Sequence, residues 1–126
     1  KEFEVIFVSQ DNHDKLEQIF IKNTFNYKHI KLNKKGLSYA RNEGLKHITG
    51  QIVTFSDDDC WYPQDALLNV LETFNQNNTN LICFQIYDPN DNVYYKKYKD
   101  IPIDSLETID IFKVSSIEIF IDLKKL

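Results

Sequence analysis

Residues 37–59 read LSYARNEGLKHITGQIVTFSDDD, and this stretch decides the fold class. Apolar or small side chains recur three and four residues apart from Leu37 to Ile48, which predicts a helix with one buried face. Gly50 is typical of the residue that follows the end of a helix. The mostly apolar residues 51–55 then predict a buried strand, and this strand runs directly into three consecutive aspartates.

The segments before and after this stretch repeat the alternation of strand and helix. Residues 3–8 and 29–32 are predicted strands, and residues 12–23 between them carry apolar side chains at helical spacing. Pro63 suits the first turn of a third helix, because its fixed φ is preorganised for that position. Such an alternation gives parallel strands joined by right-handed crossovers, with helices covering the sheet. We therefore predict a layered α/β/α fold with a mostly parallel central sheet.

Single residues predict the helix ends and the buried faces. Asp11 or Asn12 is the predicted N-cap of the first helix, and Ser38 is that of the second. The first helix is expected to bury Leu16, Ile19 and Phe20, and the third to bury Leu67, Leu68, Leu71 and Phe74.

The pattern changes after residue 80. Residues 81–87 are nearly all apolar, residues 88–92 form a turn cluster, and residues 93–98 resemble a returning strand, which together predict a β-hairpin. Isoleucines alternate with other residues over 117–121 and predict a further strand. We treat the chain as a single domain, 1–126, with a β/α part over 1–80 and a second part over 81–126.

The composition excludes several classes of protein. The chain has 126 residues, of which 42% are hydrophobic and 27% charged, with three Gly and three Pro, so it is neither collagen-like nor disordered. No apolar run approaches the roughly 18 residues of a membrane span. The net charge of −4 argues against nucleic acid as the main partner. Cys60 and Cys83 lack CxxC or zinc-finger spacing, which favours reduced thiols in a cytoplasmic protein.

Asp57, Asp58 and Asp59 carry the most specific chemical signal. Adjacent carboxylates repel one another unless a cation offsets their charge, and all-oxygen ligands favour Mg²⁺ or Mn²⁺. Ligands of open α/β sheets also collect beyond the carboxyl ends of the strands. The alternative is a solvated loop that caps the next helix. Arg41, the only arginine, lies at the edge of the apolar stripe and needs an anionic partner, either a bound phosphate or a structural carboxylate. Trp61 and Tyr62 either stack on a sugar or pack on the core.

Three segments together resemble family 2 glycosyltransferases of the GT-A fold: GLSYARNEGL at 36–45, GQIVTFSDDD at 50–59 and WYP at 61–63. The strand EVIFV at 4–8 is similar to the family's second strand, and the likeness extends to about Phe74. The resemblance implies inverting, metal-assisted transfer of a sugar from a UDP- or GDP-sugar to a hydroxyl of a carbohydrate or lipid-linked acceptor, in the synthesis of a surface polysaccharide or glycoconjugate.

The resemblance also implies roles for single residues. The aspartates match the family's DxD-type element, with Asp57 on the ribose or sugar of the donor and Asp58 or Asp59 holding Mn²⁺ or Mg²⁺ against the diphosphate. Arg41 is a further donor-binding residue. Ser9 and Gln10 stand where the family often has an acidic pair that helps to bind the nucleoside, and Ser9 is a candidate donor-binding residue. Glu118, in a segment that resembles a strand of the acceptor-side half, is a candidate catalytic base, and the alternative is a carboxylate on the sheet surface.

The chain departs from the family pattern at both ends. The family's first strand would precede Lys1 and most of its acceptor-side half would follow Leu126, so we expect a domain that is truncated at both ends. Membrane contact is expected only through regions outside this chain. Two other functions stay open: a sugar-nucleotide nucleotidyltransferase, which needs a glycine-rich phosphate loop after its first strand, and a nucleotide- or carbohydrate-binding module without catalysis.

Overall fold

The computed structural model describes residues 3–95 and 114–126, and the chain divides into two compact units, Lys1–Gly50 and Gln51–Leu126. We call these the N-terminal unit and the C-terminal unit. None of the helices in the described ranges is long and apolar enough to span a membrane.

The N-terminal unit is a strand–helix–strand–helix segment. Its elements are β1 (Glu4–Ser9), α1 (His13–Phe20), β2 (Asn26–Lys31) and α2 (Leu37–Leu45). β1 and β2 pair in parallel, with Phe7 opposite His29 and Ser9 opposite Lys31. The predicted order of elements and the predicted parallel pairing of the first two strands are therefore confirmed.

The helix ends differ in part from the prediction. Asn12 is the N-cap of α1, as expected, although its side chain makes no capping hydrogen bond. Ser38 is not the N-cap of α2, because the helix begins at Leu37 and its N-cap is Gly36. Gly36 has a φ of 141°, which residues with a Cβ rarely adopt. The backbone conformation of Gly36, and not a hydrogen bond from the Ser38 hydroxyl, therefore fixes the start of this helix.

The buried faces of α1 and α2 are narrower than predicted. Phe20 stacks on Phe7 with ring centroids 4.3 Å apart, whereas Ile19 is exposed. In α2, Ala40 and Gly44 are buried and Leu37 is exposed. A Cβ on Gly44 would lie 3.1 Å from Val8 Cγ2, so α2 packs on β1 at a distance that only glycine permits without a shift.

Glu4 ties the first strand to the segment that follows α2. Its Oε1 accepts hydrogen bonds from the Thr49 amide at 2.6 Å, the Thr49 hydroxyl at 2.9 Å and the Gly50 amide at 2.8 Å. The Thr49 amide bond is the main reason why the pKa of Glu4 lies below its usual range. One carboxylate oxygen thus fixes the turn between α2 and the next strand.

We expect Glu4→Ala to lower the free energy of unfolding by about 1–3 kcal/mol at pH 7, because two backbone amides lose an ionised acceptor. Since the folded state lowers the pKa of Glu4, its contribution is complete at neutral pH and is lost as the pH falls below about 5. The difference in urea unfolding between wild type and variant should therefore shrink in acid. Glu43→Ala, which removes only an exposed pair with Lys46, is the control, and an equal loss there would contradict the prediction.

The described part of the C-terminal unit contains a three-stranded sheet, a two-stranded hairpin and an 11-residue helix. Its elements are β3 (Ile52–Thr54), α3 (Ala66–Gln76), β4 (Leu81–Cys83), β5 (Tyr87–Asp88), β6 (Val93–Tyr94), a 3₁₀ turn (Ser116–Glu118) and β7 (Ile119–Asp122). β7 lies between β3 and β4 and is antiparallel to both. The α/β composition of the prediction holds, but the mostly parallel central sheet is not confirmed, since β1 with β2 is the one parallel pair in the described ranges.

The core of the C-terminal unit lies between α3 and the sheet. Val70, Phe74 and Phe120 are buried, and the side chains packed against them are Ile52, Ile82 and Phe84. Leu67 and Leu68 are 37% and 54% exposed, so their prediction as inner-face residues was wrong. The helix is rotated so that Val70 and Phe74, one turn apart, face Phe120 of β7.

A hairpin forms at β5 and β6, but the predicted strand over 81–87 is divided: Leu81–Cys83 pairs with β7, and only Tyr87–Asp88 pairs with β6. Asp88 pairs with Val93, and Asn92 in the turn has a φ of 53°, in the left-handed region that asparagine tolerates. The predicted return strand over 93–98 is observed only at Val93–Tyr94, and its last residues lie outside the described ranges.

Candidate functional site

The aspartates lie in a turn directly after β3, as the sequence predicts. At the end of this strand the Thr54 hydroxyl donates a hydrogen bond to the Ile119 carbonyl, at 2.8 Å, which ties β3 to the beginning of β7. The chain then turns over residues 57–60, where the Cys60 amide donates to the Asp57 carbonyl at 3.4 Å. The three carboxylates therefore follow the carboxyl end of a strand that is held on its neighbour.

The three aspartates have different environments. Asp57 is half-buried, whereas Asp58 and Asp59 are exposed. The Cys60 thiol donates a hydrogen bond to Asp59 Oδ1 at 3.4 Å, and burial together with this contact raises the pKa of the thiol. A protonated thiol beside the carboxylates is a weak donor and does not neutralise them.

The donor set of this turn fits a hard cation that is shared with a ligand. Asp58 and Asp59 offer carboxylate oxygens, the ligands that Mg²⁺ and Mn²⁺ prefer, and their exposure leaves coordination positions for phosphate oxygens and water. Within residues 3–95 and 114–126, no three His, Cys, Asp or Glu side chains are grouped as a metal cage. A cation at this turn would therefore need further ligands, such as water or phosphate oxygens, besides Asp58 and Asp59.

Trp61 and Tyr62 lie next to the acidic turn and differ from each other. The Tyr62 ring packs on Phe120 with centroids 5.9 Å apart, and its hydroxyl donates to the Phe55 carbonyl at 3.4 Å. Trp61 is 68% exposed. Of the two alternatives from the sequence, packing on the core describes Tyr62, and stacking on a sugar stays a prediction for Trp61.

Glu118 lies at the end of the 3₁₀ turn and is 1% exposed. Its Oε2 accepts a hydrogen bond from the Ser115 amide at 2.5 Å, and the Ser115 hydroxyl in turn caps this short turn. The carboxylate is therefore buried and does not lie on the sheet surface. Its role as catalytic base stays a prediction.

Arg41 and Ser9, the other two predicted donor-binding residues, belong to the N-terminal unit. Arg41 is half-buried on α2, between the buried Ala40 and Gly44 and at the edge of the stripe where the spacing predicted it. Ser9 is the last residue of β1 and is 3% exposed. Its role in binding the donor stays a prediction.

Two histidines that the sequence analysis missed contact Ser9. Ser9 Oγ lies 2.5 Å from His13 Nδ1 and 2.6 Å from His29 Nε2. His13 is the first residue of α1, and His29 lies on β2 opposite Phe7, whose ring packs on it with centroids 4.8 Å apart. His13 follows Ser9 by four residues across the turn into α1, whereas His29 reaches Ser9 through the parallel pairing of β1 with β2, for which the sequence has no local signal.

A carboxylate and a lysine complete the surroundings of His29. Glu17 Oε2 lies 2.6 Å from Lys31 Nζ and 3.8 Å from His29 Nδ1. The hydrogen bond from Lys31 lowers the pKa of Glu17, and burial lowers the pKa of His29 below its usual range. At neutral pH, Glu17 is thus ionised and His29 is a neutral imidazole.

Gln10 occupies the second position where the family often has an acid, and it has a structural contact. Its Nε2 donates hydrogen bonds to the carbonyls of Lys34 and Gly36 at 2.8 and 3.0 Å, and its Oε1 accepts one from the Gly36 amide. These three bonds hold the loop before α2 against the end of β1. Gln10 therefore supports the start of the helix that carries Arg41.

Comparison with known proteins agrees with the resemblance. The sequence profile of the family described as Glycosyl transferase family 2 matches residues 1–122, which is nearly the whole chain. Neither the curated proteins nor the solved structures that were compared with the chain gave a match. The family implies a GT-A-like α/β fold, binding of a nucleotide-sugar donor and an acceptor, and glycosyl transfer in general. The chain thus belongs to glycosyl transferase family 2.

Proposed function

We propose that this chain is the donor-binding part of a metal-assisted, inverting glycosyltransferase that uses a UDP- or GDP-sugar. One observation carries the proposal: in a chain of this family, three aspartates form a turn directly after β3, with two of their carboxylates exposed. Carboxylates in this position bind phosphates only through a cation, since they would otherwise repel the diphosphate.

Each residue of the turn has a separate proposed role. Half-buried Asp57 accepts a hydrogen bond from a hydroxyl of the donor's ribose or sugar. Asp58 and Asp59 hold Mn²⁺ or Mg²⁺, and the bound cation would stabilise the negative charge on the departing nucleoside diphosphate. Trp61, exposed beside the turn, offers an aromatic face to a sugar ring.

Arg41 and the acceptor side complete the proposal. The guanidinium of Arg41 binds a donor phosphate, for which its planar donors are suited. A base deprotonates the acceptor hydroxyl, which attacks the anomeric carbon as the nucleoside diphosphate leaves, and this in-line attack inverts the configuration. We propose Glu118 for that base. The proposed acceptor is a carbohydrate or a lipid-linked carbohydrate. The reaction would take place in the cytoplasm and contribute to the synthesis of a surface polysaccharide or glycoconjugate.

Calorimetric titration of the full chain with UDP and with GDP, each with Mn²⁺ and with EDTA, tests the proposal. We expect one of the two nucleotides to bind at least about tenfold more tightly with Mn²⁺, because the cation bridges the carboxylates and the diphosphate. Equal affinity with EDTA, or no binding of either nucleotide, would contradict it. Release of free sugar from the matching nucleotide sugar then separates an enzyme from a module that only binds.

A further inference from the structure

Three side chains of the N-terminal unit, His29, Ser9 and His13, form a hydrogen-bonded line, and the Glu17 carboxylate faces its inner end at 3.8 Å, too far for a hydrogen bond to His29 Nδ1. Glu17 Oε2 faces His29 Nδ1 at 3.8 Å, His29 Nε2 lies 2.6 Å from Ser9 Oγ, and Ser9 Oγ lies 2.5 Å from His13 Nδ1. The inner part of this line is shielded from solvent, since the side chain of His29 is 4% exposed and Ser9 is 3% exposed. His13, at the outer end, is half-buried.

The charges around His29 decide which of its nitrogens holds the proton. The charged and titratable groups that act on it are Glu17 at 3.8 Å, Lys31, His13 and Asp14, with Lys31 bound to both carboxylates. The oxygen nearest to the ring is the anionic Oε2 of Glu17, and it faces Nδ1. A proton on Nδ1 is attracted by this oxygen, whereas a lone pair there would be repelled. Neutral His29 therefore has its proton on Nδ1 and a lone pair on Nε2.

The Ser9 hydroxyl has a single proton, so the tautomer of His29 also determines the tautomer of His13. Because His29 Nε2 has a lone pair, the Ser9 hydroxyl donates to it and can only accept a hydrogen bond on its other side. The group on that side is His13 Nδ1, at 2.5 Å, which must then hold the proton of the neutral imidazole. The remaining nitrogen, His13 Nε2, is left with a lone pair, and the hydrogen bond of the His13 ring within residues 3–95 and 114–126 is the one between its Nδ1 and Ser9.

We propose that Ser9 and His29 fix the tautomer of His13, so that His13 Nε2 accepts a hydrogen bond from an N–H or O–H group of the donor nucleoside at the carboxyl end of β1. This inference rests on the proposed function. Carboxyl ends of parallel strands are where α/β sheets bind ligands, and a lone pair on imidazole can accept a hydrogen bond as a carboxylate does. His13 is then the specificity-determining residue, and Ser9 and His29 are positioning residues behind it.

The first test measures the tautomer and does not depend on nucleotide binding. Long-range ¹H–¹⁵N NMR spectra of the full chain at about pH 8 should show His13 with a protonated Nδ1 and an unprotonated Nε2. Ser9→Ala should release His13 to a mixture of tautomers, and Glu17→Gln, a change at a partly exposed site, should move the His13 signals in the same direction. His47, outside the line, is the internal control. A protonated Nε2 of His13 in the wild type would overturn the inference, as would His13 chemical shifts that are the same in the wild type and in both variants.

The second test measures binding of the nucleotide found with Mn²⁺ above. We expect His13→Ala to weaken it about tenfold, and His13→Gln, whose amide oxygen can accept a hydrogen bond, to restore most of that loss. His47→Ala should bind like the wild type. If the wild type binds and His13→Ala binds equally well, this inference fails and the proposed function stands. If the wild type does not bind at all, the proposed function fails, and the NMR result still decides whether Ser9 and His29 fix the tautomer of His13.

Discussion

Replacing both Asp58 and Asp59 with asparagine should weaken the binding of UDP or GDP in the presence of Mn²⁺ by about 100-fold. Each substitution removes one anionic ligand from a cation that is shared with the diphosphate, and an amide oxygen is a far weaker ligand for a hard ion. A 100-fold loss corresponds to about 2.7 kcal/mol of binding free energy. Calorimetry at a fixed Mn²⁺ concentration measures it, and the residual affinity should no longer respond to EDTA.

A matched double variant separates metal binding from a change in net charge. Asp65 and Asp91 are exposed aspartates of the same unit, outside the acidic turn. Asp65→Asn combined with Asp91→Asn changes the net charge by the same amount as the first double variant, and we expect it to bind nucleotide like the wild type. Equal losses in the two double variants would mean that long-range charge alone governs nucleotide binding and would remove the proposed role of Asp58 and Asp59.

Gly44→Leu should lower the free energy of unfolding by about 3 kcal/mol. The first added atom, Cβ, would already lie 3.1 Å from Val8 Cγ2 and 3.7 Å from Ile6 Cγ2, and the further carbon atoms of leucine would crowd these side chains of β1. The helix would have to move away from the strand, and Arg41 would move with it. Chemical unfolding in urea, followed by circular dichroism, measures the loss.

The intrinsic preference of leucine for helices acts in the opposite direction, so a loss of stability here comes from packing. Leucine is favoured over glycine within a helix by about 0.8 kcal/mol. Asn42→Leu, at an exposed position of the same helix, is the control and should leave the urea midpoint nearly unchanged. A midpoint for Gly44→Leu that equals the wild type would show that the contact between α2 and β1 is not as close as described.

The order of elements could be predicted because it depends on local periodicity. Apolar spacing and the position of Pro63 suffice to place three helices between successive strands. The orientation of α3 could not be predicted in this way, because Leu67 and Leu68 fit a buried stripe as well as Val70 does. What decides between them is Phe120, a residue far away in sequence on which Val70 and Phe74 pack.

The residues of the candidate sites likewise fall into those that a local sequence pattern indicates and those that only tertiary packing brings together. Asp57, Asp58 and Asp59 could be located from the sequence, since a run of acids after an apolar strand is a local signal. The cluster of Ser9 with His13 and His29 could not, because His29 is 20 residues from Ser9 and reaches it only through the parallel pairing of β1 with β2. His13 is four residues from Ser9, but a strand, a turn and a helix start lie between them, so the spacing alone does not indicate contact.

The position of β7 between β3 and β4 sets an order of events during synthesis of the chain. The Gln51 side chain bonds Asp122, 71 residues later, and β3 has no strand neighbour among the described residues until Ile119–Asp122 emerge from the ribosome. The N-terminal unit, whose β1 and β2 are close in sequence, can form its pairing first. The acidic turn thus acquires a paired strand behind it only after β7 has been synthesised, because β7 is the neighbour that β3 and β4 share among the described residues.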